Sequence, residues 1–129
     1  MYIRDYQRWL EAWDRARGWD RVSPAHTLIH ALEELGEVAR LVLQLEGYKN
    51  GGSPEEIREE LATELSDLLV FVFKLAYQCG IDVEEALKAG QAKADQRWGD
   101  LEAASAELER YLAQQAENVN RLCRSGDKE

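Results

Sequence analysis

The chain is short of the residues that mark several common classes of protein. Only Cys79 and Cys123 are cysteine among its 129 residues. Their separation matches no metal-binding spacing and no disulfide framework, so the expectation is two reduced thiols in a cytoplasmic protein. Proline is equally scarce: Pro24 and Pro54 are the only two, and each follows a serine. The longest uninterrupted apolar run, Leu68 to Phe73, falls far below the ~20 residues that cross a bilayer. The N-terminal MYIRDYQRWLEAWDR carries charge throughout and has no apolar signal region. Cations are in the minority, with 16 Lys and Arg against 25 Asp and Glu and a net charge of −9. No cationic stretch interleaves with aromatics, so nucleic-acid binding lacks its electrostatic footprint. A small polyanion is still admissible if metal ions neutralise both it and the protein. Period-2 alternation is missing too, which argues against strands.

What is present reads as one globular, all-α domain. Hydrophobic residues make up 45% and charged residues 32%, a composition that folds. A chain of this length buries roughly two-thirds of its unfolded surface. Ser23-Pro24 and Ser53-Pro54 each read as an N-cap followed by proline in the first helical turn, and Glu56 completes a capping box at the second. Gly80-Ile81-Asp82 ends one helix and caps the next, and Gly99-Asp100 repeats the arrangement. These signals predict five helices, at about 2–17, 24–46, 54–79, 82–98 and 101–123. The loop EGYKNGGSP, between the second and third, carries glycines that favour mobility. The expected domain spans 1–124, with a core at about 9–98, an added C-terminal helix and a frayed tail at 125–129. Leu101, Ala104, Leu108, Tyr111, Leu112, Val119 and Leu122 form one side of that last helix. They face either the rest of the domain or another subunit.

Two helices concentrate negative charge in an unusual way. At about 100° per residue, Glu33, Glu34 and Glu37 share an arc of about 100°, with His26 and His30 on the same arc. On the third helix Glu60, Glu64 and Asp67 share about 60°. Charged stripes are ordinarily solvated faces. Here, however, the arc of Glu64 and Asp67 runs on into Phe71 and Leu75, and that of Glu34 and Glu37 into Leu41. A face that is acidic at one end and apolar at the other points inward. Unpaired carboxylates there would be costly or would take up protons, and a divalent cation removes the cost. All-oxygen ligands suit Mg²⁺, with Mn²⁺ as a substitute. Zinc is disfavoured because no thiolate is placed to help and HExxH is absent. A di-iron bundle needs Glu-x-x-His, whereas this chain has His30-x-x-Glu33 and Glu64-x-x-Asp67. The histidines read as packing or supporting groups. Mg²⁺ held by carboxylates commonly binds substrate phosphates as well.

Glu33-Glu34-Leu35-Gly36-Glu37, followed after 26 intervening residues by Glu64-Leu65-Ser66-Asp67, resembles an EExxE…ExxD signature. It is that of the MazG-like all-α nucleoside triphosphate pyrophosphohydrolases, a superfamily that includes dimeric dUTPases and dCTP pyrophosphatases. GWDRVSP, ELSDLLVFVFKLA and GIDVEEAL extend the similarity over about Trp9 to Trp98. The resemblance implies a four-helix core assembled as a homodimer or homotetramer. It also implies Mg²⁺-dependent hydrolysis of a nucleoside triphosphate, a dNTP or a non-standard NTP, to monophosphate and pyrophosphate. Glu34, Glu37, Glu64 and Asp67 occupy the family's metal-ligand positions, and either Glu33 or Glu34 orients the attacking water. Lys93 and Arg97 match phosphate-gripping positions on the following helix, although Gly90 and Ala94 stand where the family often has Lys and Asn. Basic residues there also suit a helix C-terminus. Trp19 and Tyr48 resemble the family's base-stacking aromatics by position.

Three other readings compete with that one. A phosphoribosyl-ATP pyrophosphatase shares the fold and the motif style. A non-catalytic helical module would bind metal or a partner protein without turnover. A purely structural bundle would leave its acidic faces solvated.

Overall fold

Glycine and serine punctuate the helices. In a computed structural model, which describes residues 1–126, helix α1 spans Ile3–Arg17. It stops at Gly18, whose left-handed φ of 76° lets its amide reach the Arg15 and Asp14 carbonyls. A 3-10 turn at Trp19–Arg21 follows. Ser23 Oγ then accepts the His26 amide at 3.2 Å and starts α2, Pro24–Leu45. Ser53 accepts the Glu56 amide at 3.2 Å while Glu56 accepts the Ser53 amide at 2.8 Å. This reciprocal box opens α3, Pro54–Gln78. Asp82 caps α4, Val83–Trp98, through the Glu85 amide at 3.1 Å, and Asp100 caps α5, Leu101–Gly126, through the Ala103 amide at 3.1 Å. The five expected helices are all present, and no strand occurs among the described residues. The 3-10 turn is an addition, and α5 runs past the expected 123. Residues 127–129, part of the tail expected to fray, lie outside the described residues.

The chain divides into two compact units, Met1–Ala86 and Leu87–Glu129. In the first, α2 and α3 form an antiparallel hairpin. Thr27 near the start of α2 donates to Gln78 Oε1 at the end of α3, at 2.8 Å. Arg40, near the other end of α2, reaches Glu60. Ala31 and Leu41 from α2 and Ile57 and Ala76 from α3 are buried, and Leu10 of α1 joins them. Gln78 also donates to the Val22 carbonyl at 2.6 Å, fastening the chain that enters α2.

Polar groups fix α1 in this unit. Asp14 and Lys74 are almost fully buried and pair at 3.3 Å, and the Tyr77 hydroxyl donates to Asp14 at 2.5 Å. Burial, then the bond to Asp14, raises the Tyr77 phenol well above its ordinary pKa of 10.0, so it stays a donor. Gln7 donates to the Ile81 carbonyl at 2.7 Å and accepts the Val83 amide at 2.8 Å, clasping the α3–α4 turn. Arg4 reaches Asp82 at 2.9 Å and Glu85 at 2.6 Å beside it.

The second unit contains the remainder of α4 and α5. The expected stripe on α5 is exposed at Leu101, Leu108, Tyr111, Leu112, Val119 and Leu122. No helix among the described residues is long and apolar enough to cross a membrane.

Removing one member of a buried ion pair strands the other. Asp14→Ala is therefore expected to destabilise the protein by about 3 kcal/mol. Urea unfolding checks this, and a loss near zero would mean that Lys74 finds water.

Candidate metal centre

The hairpin register sets two half-motifs side by side. Glu34 projects from α2, and Glu64 and Asp67 from α3, one turn apart. Each offers a carboxylate oxygen, and the three oxygens lie within 4.8 Å of one another. Glu34 and Glu64 are half-buried and Asp67 is exposed. This gathering raises the Glu34 pKa above its ordinary 4.5, first through desolvation, then through a hydrogen bond shared with Glu64 and the charges of Asp67, Glu64 and Glu33. The donor set is all carboxylate oxygen on two rigid helices, which fits a hard divalent ion such as Mg²⁺ or Mn²⁺.

The other acids of the two stripes have different partners. Glu33 accepts from, or shares a proton with, His30 Nδ1 at 2.9 Å, and the His30 ring stacks on Phe71 with centroids 5.4 Å apart. His30 thus supports Glu33 and is not part of the carboxylate trio. Glu37 stands outside the trio as well. Its Oε2 accepts from Arg40 Nε at 3.0 Å, while Arg40 Nη2 donates to Glu60 Oε1 at 2.8 Å. One guanidinium therefore balances an acid from each helix, and its own pKa is raised, first by Glu60 and then by Glu37. Sequence periodicity placed Glu60 on the acidic arc; its ion pair depends on the hairpin register, which no local pattern reports.

Trp19 and Tyr48 are both exposed, as a stacking role requires. They flank opposite ends of α2, whose 22 residues span about 33 Å. One nucleobase cannot touch both in the same chain. Lys93 and Arg97 lie in the second unit, four residues apart on α4, and Arg97 sits over the Trp98 ring at 5.0 Å.

Gly36, inside the first half-motif, has no packing reason among the described residues. A Cβ there would meet nothing within 4 Å among the described residues, although glycine weakens a helix interior by roughly 0.5–1 kcal/mol relative to alanine.

Carboxylates converging from two consecutive antiparallel helices are the defining feature of the site in this all-α chain. Residues 22–100, more than half of the chain, match the model of the MazG nucleotide pyrophosphohydrolase domain. The chain belongs to that family. It is also similar to the uncharacterized protein YvdC of Bacillus subtilis (strain 168), with 29% identity over 103 residues covering 76% of this chain and 97% of that one.

The raised Glu34 pKa carries a stability consequence with a definite sign. A carboxyl whose folded pKa exceeds its unfolded value contributes stability below the unfolded pKa and loses it as pH rises through the folded one. In chelator, Glu34→Gln should therefore melt above the wild type at pH 7, with the gap shrinking toward pH 4. Mg²⁺ should raise the melting temperature of the wild type and leave the variant nearly unmoved. Melting curves at both pH values, with and without the ion, read this directly.

Proposed function

We propose that the protein hydrolyses a nucleoside triphosphate, a dNTP or a non-standard NTP, to the monophosphate and pyrophosphate, with Mg²⁺ as the resident cation. The observation that carries this reading is the convergence of Glu34, Glu64 and Asp67 from the two halves of the family signature. Glu34, Glu64 and Asp67 hold the cation, and Glu37 joins them as a fourth ligand. When bound, the ion screens the charge of the phosphates and polarises a phosphoryl oxygen. Glu33 lies outside the trio and is buttressed by His30, so it orients the attacking water and takes its proton. Lys93 and Arg97 bind the phosphate chain, and Trp19 or Tyr48 stacks on the base. The working compartment is the cytoplasm, where Cys79 and Cys123, both free and exposed, stay reduced.

The assembly is a homodimer, or a homotetramer built from it. Leu28, Ile29, Leu32 and Leu35 on α2 and Leu65, Leu69 and Val72 on α3 are exposed at 43–57%. Beside them an apolar groove of about 540 Å³ is walled by Tyr6, Leu65, Leu69 and Phe73. A second copy covers such a face with matching chemistry and accounts for Gly36 as a point of close approach. Two copies also offer Trp19 of one chain and Tyr48 of the other to a single base. Leu69→Glu is expected to shift the protein to monomer in sedimentation velocity, and an unchanged sedimentation coefficient would place the interface elsewhere.

The decisive experiment is product analysis with Mg²⁺ across the common dNTPs and NTPs. Pyrophosphate and monophosphate are expected from the wild type. Glu33→Gln should lower kcat by about 100-fold or more while keeping metal affinity, and Glu64→Gln should lose both. Release of inorganic phosphate would mean cleavage of a different bond and overturn the reading. No product from any nucleotide, with turnover of phosphoribosyl-ATP, would move the assignment to that substrate.

A further inference from the structure

Arg40 bridges the two acidic helices, pairing with Glu37 on α2 and Glu60 on α3. Glu34 and Glu37 are three residues apart, one helical turn, on the same face of α2, and helix side chains lean toward the N-terminus. Glu37 lies outside the trio, one turn from Glu34, and a change of side-chain rotamer would carry its carboxylate toward Glu34 and the α3 acids. Arg40 leans toward the N-terminus and reaches Glu37 from the next turn. Glu37 therefore stands between two partners, the carboxylate trio on one side and a guanidinium on the other. In the structure it takes the guanidinium, at 3.0 Å. Glu60 holds the far side of Arg40 at 2.8 Å from the opposite helix. All three side chains of this bridge are open to solvent, with 37–52% of their surface exposed.

We infer that Arg40 and Glu60 form a latch that competes with the divalent ion for Glu37. In the latched state Arg40 neutralises Glu37 and spares the trio a fourth negative charge. In the open state the Glu37 side chain swings toward Glu34 by a change of rotamer and completes the ligand set, while Arg40 remains paired with Glu60. The fork of the guanidinium suits this exchange, because it has donors to keep one carboxylate while releasing the other. The latch rests on the metal-centre reading above and adds regulation to it: cation affinity is held below what four free carboxylates would give. An exposed ion pair of this kind is worth a two- to five-fold change in affinity, roughly. Arg40 acts here as a positioning residue for Glu37 and needs no contact with substrate.

A double-mutant cycle with Mn²⁺ alone tests the latch without nucleotide or turnover. Free Mn²⁺ is read by electron paramagnetic resonance for the wild type, Arg40→Gln, Glu37→Gln and the double variant. Each altered residue is solvent-accessible, and a melting curve verifies folding. The expected result is that Arg40→Gln tightens Mn²⁺ binding about two- to five-fold when Glu37 is present and has little effect in the Glu37→Gln background. Equal tightening in both backgrounds would reduce Arg40 to a remote charge and overturn the latch. Weaker binding or no change in Arg40→Gln would overturn it too. In all these cases Mn²⁺ still binds the wild type, and the metal centre stands. If the wild type binds no Mn²⁺, the metal-centre reading itself fails and takes the latch with it.

Discussion

The register of the α2–α3 hairpin is the constraint on which the rest of the first unit depends. A hairpin of two long helices sets Thr27 against Gln78 and Arg40 against Glu60, and every intermediate pairing follows. Sliding one helix by a single turn, about 5.4 Å, would move Glu34 away from Glu64 and Asp67. It would also strip the buried Thr27 hydroxyl of its partner, and a buried polar group without a bond is expensive. The apolar contacts of Ala31, Leu41, Ile57 and Ala76 reward many registers in similar measure. The hydrogen bonds at the ends single out one.

Within that register, charge is distributed with discrimination. Six acids occupy the two stripes, yet they do not behave as one negative surface. Glu33 is given to His30, and Glu37 and Glu60 share Arg40. What remains is a trio without a basic partner among the described residues, and its crowding contributes to the raised pKa of Glu34. An acidic face that served only solubility would spread its charges into water. Here the repulsion is relieved at the edges and kept at the centre, where the proposed cation would offset it.

Much of this was legible in the sequence because its signals are local. Ser-Pro pairs, the Glu56 capping box and the Asp82 and Asp100 caps act within four residues, so the five helices could be read almost to their ends. The two half-motifs were legible for the same reason, since each fits within five residues of one helix. Contacts between distant residues left no such trace. Nothing near Asp14 announces Lys74 and Tyr77, some 60 positions away, and Gln7 gives no hint that it clasps Ile81 and Val83. No pattern in the sequence singles out Arg40, because its partner Glu60 lies across the hairpin. Helical angle alone grouped Glu37 with Glu34, whereas in the structure Glu37 pairs with Arg40. The 3-10 turn at Trp19–Arg21 is too short to show a period.

The placement of the trio along the hairpin explains how the fold tolerates it. Like charges pressed together push helices apart, and Gly36 loosens α2 at the same point. Both weaknesses fall between two fixed points. On one side Thr27, Gln78 and the Val22 carbonyl form a buried hydrogen-bonded knot, backed by the Asp14–Lys74 pair on α1. On the other side Arg40 joins Glu37 to Glu60, with the fully buried Leu41 next to it in the chain. A splayed centre would have to break one of these anchors. The inner anchor is buried and permanent, whereas the outer one is exposed and exchangeable. The proposed exchange of ligands at the Arg40 end would therefore leave the packing that defines the site undisturbed.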